Sequence, residues 1–405
     1  MEKLSHKEHD FSAKLRQNSV IGGLRDYITW QRALRKGEHR ARLPRRGPVS
    51  INLDLTSACN FACPHCVDST IINTASTLDF DTIRTSVETL ADQGLLSVIL
   101  IGGGEPTLHK DFERIVRILK ERRMQIGIVT NGSKLAKVAR VADLLEEGDW
   151  VRLSVDAGHE DTFAKSHRPR GNVRLAGILQ SAAELKRANA RISLGYSFVI
   201  VWPGIEIGAH ELCPNIAEMA EAVKQAMDHG FDYVSFKPCL IRLEDSHKES
   251  LLARPGSLSE DEIIAAIQEG LEQARAAAAG QMKILESVNL QALLEKRLTD
   301  LKHQPTVCHA QFFRTVLTPS GVFHCPALRG VDKGRIAGPD GYAGASAFEK
   351  TTANLEGSIK TFDATQECRE VACFYNHVNW WIERAVASAM DVRDIEPVVD
   401  NNFFL

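Results

Sequence analysis

The sequence has no apolar run near the roughly 18 residues that a bilayer-crossing helix needs, which excludes that class of membrane protein. It has no excess of one charge either: 49 Lys and Arg against 52 Asp and Glu leave a net charge of −3. No basic field is present to recruit nucleic acid or an anionic membrane surface. The opening stretch, MEKLSHKEHDFSAKLRQNS, lacks the apolar core of a secretory signal, so a cytoplasmic location is expected. An even cysteine count is also missing. Nine cysteines in a reducing compartment favour metal ligation or redox chemistry over structural disulfides. What remains is ordinary for a globular chain: 44% hydrophobic and 25% charged residues, in 405 residues that leave room for a large domain and a smaller one.

Three of the cysteines stand close together in Cys59-Asn-Phe-Ala-Cys63-Pro-His-Cys66, directly after a short apolar strand at 51–56. Buried cysteines often serve as small hydrophobes, and two of these could form half of a zinc site. Iron–sulfur clusters are usually held by four thiolates. A [4Fe–4S] cube held by only three keeps one iron open for a cofactor.

From residue 50 onward, apolar runs near 51–56, 97–102, 126–131, 151–156, 192–201 and 233–239 alternate with helix-period segments. Ile83, Val87 and Leu90 mark one such segment; Ile115, Ile118 and Leu119 mark the next. Alternation of this kind predicts βαβ units, a parallel sheet and, with six units, a partial barrel rather than a complete eightfold one. Strand parity predicts what the barrel encloses. Ile51, Leu53 and Leu55 oppose Asn52, Asp54 and Thr56; Val151, Leu153 and Val155 oppose Arg152, Ser154 and Asp156; Val234 and Phe236 oppose Ser235, Lys237 and Cys239. With the apolar faces against helices, the lumen is polar and suits a binding chamber, with the site at the C-terminal ends of the strands.

Residues 1–48 are charged and predicted to be helical in part, a solvated lead-in or a lid, with a basic run at Arg40, Arg42, Arg45 and Arg46. Beyond the barrel, 257–278 and 289–302 read as helices around a possible strand at 281–288. Cys308, Cys325, Cys368 and Cys373 follow, separated by 16, 42 and 4 residues. Pro319-Ser-Gly321 predicts a hairpin between FFRTVLT and VFHC that brings Cys308 and Cys325 together. The 42-residue gap, with Gly330, Gly334, Gly338, Gly341 and Gly344, reads as an irregular surface excursion, and NHVNWWIERAVASAM as a helix packing its two tryptophans. A four-thiolate set admits either zinc or an iron–sulfur cluster on spacing alone.

The second strand ends in Gly102-Gly103-Gly104-Glu105-Pro106, where glycines permit close backbone approach to a ligand. With the cysteine loop one unit earlier, Thr130-Asn131-Gly132 after the third strand and Ser154-Val155-Asp156 at the fourth, residues 50–240 resemble the radical SAM superfamily core. The resemblance implies a partial (βα)6 barrel in which Cys59, Cys63 and Cys66 ligate a [4Fe–4S] cluster whose open iron binds S-adenosylmethionine. It implies that Gly103, Gly104 and Glu105 meet the methionine amino group and that Ser154 lies near the ribose or carboxylate, with Asn131 in the same cofactor-binding set. His65 stands where the family usually has an aromatic residue beside the adenine, and Arg168 is a candidate carboxylate partner. The later four cysteines resemble a SPASM/twitch subdomain holding an auxiliary [4Fe–4S] cluster, the shorter twitch form suiting their number.

The organisation expected is a helical lead-in at 1–48, a radical SAM core at 49–245, a helical bridge at 246–302 and a cysteine-rich auxiliary subdomain with a terminal helix at 303–405. The implied chemistry is reductive cleavage of S-adenosylmethionine to a 5′-deoxyadenosyl radical and hydrogen abstraction from a substrate C–H. An external one-electron donor such as flavodoxin or ferredoxin is implied. With an auxiliary cluster as electron acceptor, the expected outcome is dehydrogenation of a polar small molecule such as a sugar or aminocyclitol. Lys237 and Cys239 are candidates for the substrate acid or base, since burial and charge can shift both groups. The alternatives are a maturase acting on a ribosomally made peptide and a non-catalytic iron–sulfur or zinc scaffold.

Overall fold

The computed structural model describes residues 10–38, 40–207, 210–242, 249–251 and 258–405. The expectation of helix within residues 1–9 and the core-to-bridge boundary at 245/246 lie outside them. Six strands form the predicted parallel sheet in sequence order: β1 (Ser50–Leu53), β2 (Ser97–Leu100), β3 (Gln125–Thr130), β4 (Trp150–Ser154), β5 (Ser193–Ile200) and β6 (Tyr233–Pro238). Each begins after a helix or turn whose apolar stripe covers the outer face. The helix at Phe80–Asp92 starts where the Asp79 side chain accepts from the Thr82 N–H, and it buries Ile83, Val87 and Leu90 as its spacing predicts. The next, Phe112–Glu121, buries Ile115, Val116 and Leu119 and leaves Ile118 half-buried. These side chains form one core with Ile51, Leu53, Leu55, Val151, Leu153, Val234 and Phe236.

The sheet does not stop at six strands. β7 (Lys283–Glu286) pairs in parallel with β6, so the predicted strand at 281–288 exists and extends the barrel wall. At the other edge β8 (Arg314–Thr318) pairs in parallel with β1, then turns through Pro319–Gly321 into β9 (Gly321–Phe323), which pairs antiparallel with it. β10 (Arg335–Ala337) completes a ten-stranded sheet, ordered β7-β6-β5-β4-β3-β2-β1-β8-β9-β10. The bridge and the cysteine-rich region are therefore continuous with the barrel sheet, and position 302/303 marks no break in it.

Two other expectations change, and a third, the terminal helix that packs its tryptophans, is met by packing rather than by full burial. The helix at Ile21–Arg35 is no solvated lead-in: Leu24, Tyr27, Ile28 and Trp30 are buried, and Tyr27 stacks on Phe312 with ring centroids 4.7 Å apart. The basic run is exposed at Arg40, Arg42, Arg45 and Arg46. The gap between Cys325 and Cys368 contains β10 and a helix at Ala345–Thr361 that buries Phe348, Thr351, Leu355 and Ile359. Its apolar stripe is thin and shared with threonine, so periodicity under-reports it. In the helix Asn376–Ala387 the buried residues include Val378, Ile382, Ala385 and Val386, whereas Trp380 and Trp381 are half-buried and Trp380 stacks on His303.

The lower end of the lumen is sealed. Gly127 and Gly195 leave space that the rings of Trp150 and Tyr233 fill, and Phe404 packs edge-on against Trp150 with centroids 5.3 Å apart. The segment 401–405 crosses the strand starts. Ser97 Oγ donates to the Phe403 carbonyl at 2.7 Å, and Gln125 bonds both the Asn401 carbonyl and the Phe403 N–H at 2.9 Å. Access to the polar lumen is therefore from the C-terminal ends of the strands.

Candidate cofactor and metal centres

The cysteine loop and the glycine turn are docked backbone to backbone. Glu105 N–H donates to the Ala58 carbonyl at 2.8 Å, and a Cβ at Gly104 would collide with the carbonyl oxygens of Ala58 and Thr56. Glycine at 104 thus serves the approach of the two loops to each other. The Glu105 carboxylate, expected at the methionine amino group, is occupied elsewhere. It is buried and accepts from Thr107 N–H (3.1 Å) and Oγ1 (2.6 Å), Thr130 Oγ1 (2.6 Å) and Asn131 N–H (2.7 Å). Burial raises its pKa against the pull of those donors. The side chain therefore ties the β2 turn to the β3 turn. Asn131 passes the connection on, donating through Nδ2 to Asn60 Oδ1 at 3.0 Å beside Cys59.

Cys59, Cys63 and Cys66 are half-buried around one point, each within electrostatic reach of another. Burial pushes all three thiols up, Cys66 to about 12, so a bound cation is needed to draw off their protons.

Sequence reasoning missed His167, which carries no spacing signal. Its Nδ1 lies 3.2 Å from Cys63 Sγ, and its Nε2 lies 2.7 Å from the Val155 carbonyl and 3.4 Å from Asp156 Oδ2. His65 Nε2 approaches the same carboxylate oxygen at 3.3 Å. The three groups are compact enough to hold an ion. The Val155 carbonyl nevertheless claims the Nε2–H of His167, leaving no lone pair there for a metal, and the trio acts as a hydrogen-bonded brace under the cysteine loop. Burial depresses the His167 pKa to about 4. Burial works against ionising Asp156, but His65, His167 and the Val199 N–H together hold its pKa low.

Above this brace, His65, Arg168, Val201 and Cys213 line an open pocket of about 360 Å³. Arg168 is exposed, in a left-handed conformation at φ 43° after the helix Glu160–His167. Ser154 is half-buried on the lumen face of β4, and Lys237 is half-buried on that of β6. Cys239 departs from the expected parity. The strand ends at Pro238, and Cys239 turns into the hydrophobic core, where burial chiefly pushes its thiol up to about 12. An activated thiol is the reverse of what that environment produces.

The second set converges. Cys308, Cys325, Cys368 and Cys373 line a single, largely apolar cavity, together with Arg314, His324, Tyr375 and Asn379. Asn379 Nδ2 approaches Cys308 Sγ at 3.8 Å. Burial raises the thiols of Cys308 and Cys373, and the charges of Cys325 and Cys308 add to the shift at Cys373. Four thiols on one cavity can hold an iron–sulfur cluster or a zinc ion.

Loop, turn and barrel together define a domain that binds an iron–sulfur cluster and a cofactor. Residues 53–212 match the Radical SAM superfamily. Its cofactors are accordingly a [4Fe–4S] cluster and S-adenosylmethionine. An S-adenosylmethionine-dependent nucleotide dehydratase of Selenomonas ruminantium is 31% identical over 114 residues, covering 28% of this chain and 41% of the relative. A probable GTP 3′,8-cyclase of Methanocella arvoryzae is 27% identical over 195 residues, 48% of this chain and 55% of the relative. The chain thus spans about half the length of the curated relatives it matches. Among solved structures, Streptococcus suis SuiB bound to precursor peptide SuiA superposes with a TM-score of 0.56 at 13% identity, over 86% of this chain and 76% of that one. His6-tagged anSMEcpe with bound AdoMet gives 0.54 at 14% identity, over 86% and 98%. At such identities the likeness is one of fold, and it extends beyond the residues the family matches.

Proposed function

We propose that the protein is a radical SAM oxidoreductase that dehydrogenates a polar small molecule. The observation that carries this reading is the four-cysteine cavity joined to the barrel through β8. A centre ligated by four thiolates has no open position for substrate, and its natural use is to take the electron left on a substrate after hydrogen abstraction. S-adenosylmethionine at a reduced [4Fe–4S] centre supplies the 5′-deoxyadenosyl radical that abstracts the hydrogen.

In this reading Cys59, Cys63 and Cys66 hold the first cluster. His65, Arg168, Asn131, Ser154 and the backbone of Gly103 and Gly104 form the face that receives S-adenosylmethionine, while Glu105 braces that face from behind. Cys308, Cys325, Cys368 and Cys373 hold the auxiliary cluster, as in a twitch-type subdomain. Lys237 remains the candidate base on the lumen side. The sealed lower end and polar upper lumen favour a compact polar substrate, a sugar or aminocyclitol. Relatives named for nucleotide dehydration and GTP cyclisation add nucleotides to that class. A flavodoxin or ferredoxin would deliver the priming electron.

Anaerobic protein given dithionite and S-adenosylmethionine should release 5′-deoxyadenosine, and a variant with Cys59, Cys63 and Cys66 all changed to Ala should release none. Equal yields would overturn the assignment. Iron analysis should find about eight irons per chain; about four would remove the electron acceptor and the oxidative outcome with it. Sugars, nucleotides and peptides offered in parallel separate the substrate classes by which of them raises the yield of 5′-deoxyadenosine.

A further inference from the structure

Two polar groups face the four-cysteine cavity with their bonding incomplete. Arg314, the first residue of β8, is only 7% exposed and lines the cavity wall. Its terminal nitrogens donate to the Tyr375 hydroxyl and to Asn52 Oδ1, the latter on the lumen face of β1, and its Nε has no hydrogen-bond partner among the described residues. A guanidinium stays charged in proteins. Among the described residues, the charged or ionisable groups around it are Tyr375, the Cys325 thiol and Arg329, with no carboxylate among them. Arg329 is itself matched by Asp54 at 3.1 Å and Asp68 at 2.6 Å. A buried cation without a counter-charge is costly, and such groups are normally paired or placed beside a bound ion.

The second group is His324, directly after β9. It is 2% exposed, lines the same cavity, and neither ring nitrogen has a hydrogen-bond partner among the described residues. A neutral imidazole always carries one N–H, so an unused donor is present there as well. A cation from one strand and a donor from the next thus border a cavity that also collects four sulfurs. The occupant that satisfies both is anionic and rich in acceptors. A [4Fe–4S]2+ core in four thiolates is a net anion, and its sulfurs accept hydrogen bonds.

We propose that Arg314 is the built-in counter-charge of the cluster held by Cys308, Cys325, Cys368 and Cys373, and that with the His324 N–H it sets the cluster's reduction potential. The proposal rests on reading those cysteines as cluster ligands. Positive charge and donated hydrogen bonds stabilise the reduced, more negative state and raise the potential. The Arg314–Asn52 contact puts this control on the wall facing the lumen, the side from which a substrate electron would arrive.

The test uses the full chain with Cys59, Cys63 and Cys66 changed to Ala, reconstituted anaerobically so that only the second cluster contributes. Midpoint potentials are read by spectroelectrochemistry for this parent and for added Arg314→Gln, Arg314→Lys and His324→Phe. The Gln and Phe variants should shift to more negative potential, and the Lys variant should stay near the parent. Melting of the iron-free forms adds a second readout: Arg314→Gln should melt higher than the parent without cluster and gain less on loading. If Arg314→Gln does not accumulate, the Lys and Phe variants still make the comparison. Full iron loading with unchanged potentials would overturn the proposal and leave the cluster reading standing. A Lys variant as negative as Gln would overturn the role of charge. Absence of iron from the reconstituted parent would overturn both readings.

Discussion

Glu105 shows how a residue in a cofactor motif can serve through the chain itself. Its carboxylate gathers donors from Thr107, Thr130 and Asn131, so the loops carrying the glycine turn and Asn131 move as one piece with the cysteine loop. Glu105→Ala should destabilise the iron-free protein by about 3 kcal/mol, because buried donors are left without an acceptor. The drop in urea midpoint measures it, and iron loading should fall as well. A variant of unchanged stability would return Glu105 to a cofactor-facing role. Two buried histidines set the acid limit. Burial holds His167 and His324 at about 4 against 6.5 for the free side chain, so over that interval the folded chain binds fewer protons than the unfolded one. Their contribution is complete above about pH 6.5 and is lost as pH falls toward 4, at about 3 kcal/mol each by about 1.4 kcal/mol per pH unit. Urea titrations of the apoprotein at pH 7 and pH 4 should show this decline, and His324→Phe should flatten it.

At the scale of elements, the segment 401–405 acts as the floor of the barrel. Phe404 and Leu405 are buried, and backbone groups from 401 to 404 bond to Lys14, Gln17, Ser97 and Gln125. Removing 401–405 should cost about 3–6 kcal/mol from the two side chains alone. It should also red-shift the fluorescence of Trp150, which loses its Phe404 cover. A melting temperature within a degree of the full chain would show that the floor is dispensable. The strands were legible from alternation where, as in β1, β4 and β6, the outer face is apolar and the inner face is largely polar. The helix at Ala345–Thr361 was not, because a threonine and small residues dilute its buried stripe among glycine-bounded turns.

At the scale of the whole molecule, β8 lies beside β1 in the same sheet, and Arg329 and Arg314 reach back from the cysteine-rich region to Asp54, Asp68 and Asn52. Cutting at 302 would expose the edge of β1 and strand two buried carboxylates without their cation. The fragment ending at 302 should therefore fail to show a cooperative unfolding transition by circular dichroism. A sharp transition would mean that the boundary drawn from sequence is a true one. Asp54 shows the cost: burial raises its pKa to about 7 even with Arg329 beside it.

The sequence alone determined the class. Closely spaced thiols, a glycine turn one strand later and alternating strand faces are local patterns, and local patterns survive in one dimension. Tertiary structure decided what depends on distance between remote residues. It gathered the four later cysteines on one cavity, placed His167 under Cys63, and turned Glu105 inward and Cys239 into the core. It also brought Arg314 and His324 to one cavity. Each of these is a balance of desolvation against partner geometry, and neither quantity exists until the chain has folded.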